Sequence, residues 1–259
     1  MRRHASLLLL LSCAEPPPPP APPEAVGPLA AGHDAVLRRL GGHRMLAHSR
    51  IRMSDGRDLV EDWTLEADGR GNYHLEHTNS ADLGKEAVFL DGVLYTRHRF
   101  GTFLERGKER ETADRLREEA WGVLGAYVEM LSPWLDITAE GGRLTLAKAP
   151  SRRAVALRDA ELPQRQWRRT LEVQSLKGWV LLDGDVPTDA ELRASYSFTR
   201  DGKAGRAELE YTRYLTRGVL DVARPQAIPT PTRRRIEPDR QRLLGEPLGG
   251  ASSLPRESP

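Results

Sequence analysis

The chain has 259 residues, 39 basic and 37 acidic, giving a formal net charge of +2, and 39% of its residues are hydrophobic. So balanced a charge gives no general reason to expect nucleic acid as a partner. A single cysteine excludes an internal disulfide, and the scarcity of lysine (five against a large arginine excess) fits a GC-rich bacterial genome.

Residues 1–12 are expected to form a signal peptide. Arg2 and Arg3 give a positive start, Ala5 to Leu11 a short apolar core, and Ser12 a small residue ahead of Cys13. An apolar run of about 7 residues is far short of the ~20 that span a bilayer as a helix. The order Leu10-Leu11-Ser12-Cys13 resembles a bacterial lipobox. In that family the signal is cut before the cysteine, which is acylated and becomes the new N-terminus, so the resemblance implies lipidation of Cys13. Leu11 departs from the pattern, which more often has a smaller residue there. Ala14 stands where an aspartate would favour inner-membrane retention in many Gram-negative bacteria, and this points to the periplasmic face of the outer membrane. The alternative is a secreted protein cut near Ala14. Cleavage before Cys13 would remove Arg2 and Arg3 and leave basic and acidic residues in equal number.

Proline marks the domain boundaries. Eight of 19 prolines fall in residues 16–28 and seven in 225–259, leaving four between. Residues 13–28 therefore read as a lipidated cysteine with a proline-rich linker, 29–223 as one globular domain, and 224–259 as a mostly disordered tail. At about 3.1 Å per residue, a polyproline II linker would hold the domain up to roughly 45 Å from the lipid. In the tail, Arg233-Arg234-Arg235 reads as a solvated run or as a contact for anionic headgroups. "PDRQRLLG" (Pro238 to Gly245) suits a short docking helix capped by Gly245.

Within the domain, Ala30 to Leu40 predicts a short helix stopped by Gly41-Gly42. Met45, Ala47, Ser49, Ile51 and Met53 then alternate with polar residues at a period of two, and Leu59, Trp63, Leu65, Tyr73 and Leu75 continue the pattern. Five Asp-Gly pairs, beginning at Asp55, Asp68, Asp91, Asp183 and Asp201, predict tight turns, with "AVFLDGVLYTR" the clearest hairpin. From Thr112 to Leu131 the apolar residues recur at 3.6, predicting one long helix with Thr112 as N-cap and Ser132-Pro133 as its stop. Strands are expected at Leu135–Ala139, Leu144–Ala147, Ala154–Leu157 and Leu171–Asp183. In the closing pair, Leu192, Ala194, Tyr196 and Phe198 share one face, and Ala207, Leu209 and Tyr211 another. The fold class is α+β, mainly β: about 10 or 11 strands in a curved, unclosed antiparallel barrel, with an N-terminal helix and one long helix on its concave face.

The pieces "RIRMSDGRDLVEDWTLEADGRGNYHLE", "AVFLDGVLYTR" and "GWVLLDGDVPTDAELRASYSFTRDG" resemble the lipoprotein-localisation superfamily: LolA and LolB, their regulatory relative RseB, and the LppX/LprG lipid carriers. The resemblance covers residues 30–220 by pattern. It implies an apolar groove between half-barrel and helix that takes a lipid or the acyl chains of another lipoprotein. The lining would be Met45, Ile51, Met53, Trp63, Leu65, Tyr73, Tyr196 and Phe198 from strands, with Leu116, Leu124 and Tyr127 from the helix. The same positions equally describe a packed core, and the alternative is a non-catalytic structural, protein-interaction or envelope-sensing module held on the stalk. LolB-type receptors also insert cargo through an exposed apolar loop, which the sequence does not place.

Other constellations point nowhere. His74 and His77 stand three apart on a strand and so face opposite sides, which argues against a shared metal. Glu61-Asp62 and Glu118-Glu119 read as solvated pairs, and His48 and His98 as half-exposed. No nucleophile stands in a motif with a base. Hence no catalytic residue, metal or cofactor is expected. The expected partners are a membrane through the lipid anchor, a lipid or acyl-chain ligand, and an envelope protein.

Overall fold

The computed structural model of the protein describes residues 40–81, 83–155, 157 and 162–230. The expected signal peptide, Cys13, the linker and the arginine tail lie outside the described residues. So does the helix expected over Ala30 to Leu40, apart from Leu40, which is helical and buried.

The elements are β1 (Gly42–Met53), β2 (Asp58–Asp68), β3 (Tyr73–Asn79), β4 (Lys85–Leu90), β5 (Val93–His98), β6 (Phe103–Gly107), α1 (Arg110–Trp121), α2 (Val123–Leu131), β7 (Leu135–Glu140), β8 (Arg143–Lys148), β9 (Glu172–Asp183), β10 (Val186–Arg200), β11 (Lys203–Arg217) and β12 (Ala227–Pro229). Hydrogen bonding runs in the order β12-β6-β5-β4-β3-β2-β1-β11-β10-β9-β8-β7, a mainly antiparallel, unclosed sheet with β12 and β7 at its ends. β12 is paired parallel to β6. No helix among the described residues is long and apolar enough to cross a bilayer.

All five Asp-Gly pairs turn the chain with glycine at positive φ. Two of them put both central residues there: Asp91 and Gly92 at 51° and 81°, Asp201 and Gly202 at 52° and 74°. Those values match the type I′ turn, whose twist suits antiparallel strands, and Leu90 duly faces Val93.

Four expectations need correction. Twelve strands form among the described residues, β6 and β12 being additional to those expected. The strand expected at Ala154–Leu157 does not form at residues 154, 155 or 157. Just before it the Arg153 N–H donates to the Pro133 carbonyl (2.7 Å), fixing the chain in a non-sheet contact, and a 3₁₀ helix, Pro163–Thr170, follows. The single helix from Thr112 to Leu131 is two helices meeting at Gly122 (φ −76°, ψ −3°), and the first begins at Arg110, after Glu109. Glycine is a poor helix former, and Gly122 falls at the boundary between a charged α1 and an apolar α2. Finally, Leu59 is exposed instead of joining Trp63 and Leu65.

The described chain forms two compact units. One comprises residues 40–51, 58–122 and 212–230. Its strands bury alternate residues: Met45 and Ala47 from β1, Trp63, Leu65 and Ala67 from β2, Tyr73 and Leu75 from β3, with Ala113, Ala120 and Trp121 of α1 beside them. α1 packs on β2 to β5, and the Tyr73 hydroxyl donates to the Ala113 carbonyl (2.6 Å). A second cluster (Val88, Tyr95, Phe103 and Val222) collects Leu90, Val93 and Ala227, which explains why the chain returns to add β12. At that edge Pro229 is tolerated, since no strand beyond β12 needs its missing N–H.

The other unit comprises Arg52–Arg57 and Val123–Tyr211. Leu144 and Leu146 of β8, Val173, Leu176 and Val180 of β9, Leu192, Ala194 and Tyr196 of β10, and Ala207, Leu209 and Tyr211 of β11 are buried, with Leu124, Val128 and Leu131 of α2. The β9–β10 ladder shifts register between Ser195 (opposite Ser175) and Tyr196 (opposite Val173), so Gln174 is the extra residue of a bulge.

Candidate functional site

The eleven positions expected to line a groove divide between the units. In the first unit Met45, Trp63, Leu65 and Tyr73 are buried, while Ile51 and Leu116 are half-buried. Burial pushes the Tyr73 phenol well above its ordinary range, so it donates as a neutral hydroxyl. Trp63 lies under the His77 ring at 3.8 Å between centroids, and Lys85 Nζ sits 5.4 Å from the Trp63 ring and 2.6 Å from Glu119. In the second unit Leu124 and Tyr196 are buried, the latter with its pKa pushed up to about 12 by burial. Tyr127 is half-buried and tilts on Tyr211 at 5.6 Å. Met53 and Phe198 are half-buried and reach the surface.

Surface clefts gather around those last two residues. One of about 1060 Å³ is lined by Arg52, Met53, Ser54, Gln174, Ser195, Tyr196, Ser197 and the stretch 204–208 of β11. The bulge at Gln174 supplies its polar wall: Gln174 Nε2 donates to Ser197 Oγ (2.9 Å), and Ser175 and Ser195 share a hydroxyl bond (2.7 Å). A second cleft of about 400 Å³ shares Met53, Ser54 and residues 204–206 with the first, and adds Arg57, Phe198, Arg200 and Lys203. A third, of about 680 Å³, shares Arg200 and Asp201 with the second and adds Trp167 and Arg169 from the 3₁₀ helix. Trp167, Phe198 and Tyr196 form a row, with ring centroids 5.2 and 6.1 Å apart. In the first unit a cleft of about 520 Å³ is mostly polar, with Asp68, Arg70, Asn72, Arg110 and Asp221 in its lining.

Two features of the first unit had not been foreseen. The β5–β6 turn carries Phe100, 86% exposed at φ 64°, and the β3–β4 turn carries Leu83, 70% exposed. The Arg99 N–H donates to the Gly84 carbonyl (3.0 Å), which ties the two turns together, and the Arg99 guanidinium lies 4.8 Å from the Phe100 ring. The only trace in the sequence is an apolar residue inside the cationic run "RHRFG".

The second feature is a buried arginine and histidine on one indole. Arg213 is 1% exposed and stacks on Trp121 with its guanidinium carbon 3.9 Å from the ring centroid; His43 meets the same indole edge-on at 6.1 Å. Burial pushes the His43 pKa down, the hydrogen bond to the Gly41 carbonyl (2.9 Å) opposes this, and Arg213, Arg117 and Arg217 add to the depression.

Other histidines and acids weighed in the sequence make ordinary side-chain contacts, with one change. His74 bonds Glu86 (2.8 Å) on one face and His77 stacks on Trp63 on the other. His48 bonds Asp62 (2.7 Å), and Glu119 pairs with Lys85. Glu61, expected to be solvated, is half-buried, and burial and then Glu119 raise its pKa.

Among solved structures the chain has slight likenesses. A LolA-superfamily protein from Nitrosomonas europaea has 8% identity and a TM-score of 0.27, over 75% of this chain and 99% of that one. A DUF1329 family protein from Desulfovibrio piger has 11% identity and a TM-score of 0.25, over 77% and 95%. MucB in complex with MucA(peri) has 12% identity and a TM-score of 0.27, over 79% and 60%. No protein-family model and no curated protein matches the chain.

Proposed function

We propose that the chain is an acyl-anchored, non-catalytic envelope lipoprotein that handles a lipid, or the acyl chains of another lipoprotein, at the periplasmic face of the outer membrane. Its N-terminal segment supports the anchor: Cys13 follows Leu10-Leu11-Ser12 and precedes a proline tract fit to act as a stalk. The observation that carries the lipid-handling role is Phe100. It occupies the third position of the turn His98–Gly101, where a positive φ ordinarily selects Gly or Asn. A left-handed conformation costs a bulky residue roughly 1–2 kcal/mol. Leaving its ring in water forgoes about 1.5–3 kcal/mol more. A solvent-facing aromatic held at such a cost, beside Leu83, matches the exposed apolar loop that the lipoprotein-localisation resemblance implies, and a bilayer would repay its exposure.

A second reading is favoured by one observation of its own. Met45, Leu65 and Tyr73 are completely enclosed, as side chains of an ordinary core are. On this reading the domain is an interaction or sensing module on the same stalk. Native mass spectrometry of protein extracted from its own membrane, with titration by a fluorescent fatty acid, separates the two. Co-purifying lipid and saturable binding are expected; a lipid-free protein that binds no fatty acid would leave the interaction module.

A further inference from the structure

The three clefts of the second unit converge on one basic and aromatic surface. The β1–β2 turn (52–57), the 3₁₀ helix (163–170) and the β10–β11 turn (198–206) together hold eight basic residues and two acidic ones, in a chain whose totals are nearly equal. Both acids lie against neighbouring arginines: Asp55 on Arg57 (2.6 Å) and Asp201 on Arg200 (3.7 Å). Arg52 is held by Glu208 and Glu210 of β11 (3.6 and 3.3 Å), and Arg165, Arg168 and Arg169 are engaged as well.

The segments are joined physically as well as by charge. Thr170 Oγ1 donates to the Trp167 carbonyl within the 3₁₀ helix and accepts the Thr199 N–H, fixing the helix to the hairpin (both 2.8 Å). The Ser54 N–H donates to the Arg206 carbonyl, and the Arg206 N–H to Ser54 Oγ (2.9 and 3.1 Å), fixing the two turns to each other. Between them Phe198 lies over Gly205, where any Cβ would stand 2.8 Å from its ring. The half-buried rings of Trp167 and Phe198 thus sit within a rim of guanidinium and ammonium groups.

From this arrangement we infer that the surface is a docking face for a bilayer bearing anionic phospholipid headgroups, contacted through Arg200, Lys203, Arg206 and Arg57 around Trp167 and Phe198. Cations attract the phosphates within a Debye length, and aromatic rings favour the headgroup level of a membrane. Convergence of two hairpin turns and a short helix gives several tips for a plane to meet. The rings are too enclosed to anchor deeply, so adhesion is electrostatic and reversible. The contact adds to the proposed anchor and does not depend on it.

The test uses the full chain carrying Cys13→Ser, with phosphatidylglycerol–phosphatidylcholine vesicles (3:7) and pure phosphatidylcholine vesicles. Amide exchange at 163–170 and 198–206 should slow on the anionic vesicles alone, and 0.5 M salt should abolish the protection. Lys203→Gln with Arg206→Gln should weaken co-sedimentation with anionic vesicles roughly tenfold to thirtyfold. The exposed pair Arg115→Gln with Arg224→Gln should leave it within twofold, which also controls for net charge. Equal protection on neutral vesicles, an equal loss from the control pair, or binding of poly-glutamate without vesicle binding would overturn the assignment, the last in favour of an acidic protein partner. None of these outcomes bears on whether Cys13 is acylated or a lipid is carried.

Discussion

Gly42 and Gly218 meet with no room between them: the Gly218 N–H donates to the Gly42 carbonyl at 2.9 Å, and a Cβ on Gly42 would overlap the Gly218 carbonyl oxygen. The relation is one-sided, since a Cβ on Gly218 meets nothing within 4 Å. Gly42→Ala should therefore destabilise the protein by about 2–3 kcal/mol, because backbone must move to admit the methyl. Gly218→Ala should change stability by no more than about 0.5 kcal/mol. Urea unfolding midpoints of the two variants check the asymmetry.

His43 gives the stability a pH dependence of defined sign. Its Nδ1 donates to Gly41 and its Nε2 is buried without a partner, so the ring is neutral in the fold. Its pKa there lies below the ordinary 6.5, chiefly through burial, with Arg213, Arg117 and Arg217 acting the same way. Below pH 6.5 the unfolded chain takes up a proton that the folded chain refuses, so stability is full above that pH and falls as acid is added. His77 contributes in the same direction through burial and Lys85. Unfolding free energy should decline from pH 8 to pH 5.5, and His43→Gln should flatten part of that slope. An unchanged slope in the variant would place the titrating group elsewhere.

Phe100 separates stability from function. Phe100→Gly relieves the left-handed strain and should raise stability by about 1 kcal/mol, less whatever the freer unfolded chain takes back. Phe100→Asp should leave the melting temperature within a few degrees, since the ring is in water. Both variants should transfer a labelled lipid to vesicles several-fold more slowly than the parent. Thermal melts and a transfer assay on the same samples check the pair.

What was legible in the sequence follows from the range of the interactions involved. Asp91-Gly92 and Asp201-Gly202 announce their turns because the demand for positive φ falls on the two residues themselves. Strand faces were legible too, since Leu192, Ala194 and Tyr196 alternate in phase and are buried together. Gly122 gave no such notice: its φ of −76° is open to any residue, so the helical period runs unbroken across a real break. β12 is three residues held extended by the edge of β6, far away in the chain, and by the cluster that takes in Ala227. Arg213 follows Ala207, Leu209 and Tyr211 at the same period of two, yet its charge hid an inward position that Trp121 makes tenable. The pattern marked Met53, Phe198 and Tyr73 alike, and could not distinguish side chains that reach a cleft from those, like Tyr73, sealed in a core.

The proposed anchor rests on one sulfur atom, that of Cys13. Each acyl methylene buried in a bilayer contributes ~0.8 kcal/mol; one chain holds a protein only marginally, whereas two or more hold it stably. The lipobox resemblance implies several chains on Cys13, so the protein from native membranes should resist both high salt and carbonate. Cys13→Ser removes the only thiol in the chain and should send the domain to the soluble fraction, or leave an uncut precursor whose signal peptide is still attached. Intact mass distinguishes these products, because the acylated form begins at residue 13 and carries the added fatty mass. If electrostatic docking through Arg200, Lys203 and Arg206 operates as well, the serine variant should cling to anionic membranes at low salt and leave them at 0.5 M. A parent protein starting at Cys13 with no added mass would show that the cysteine is incidental.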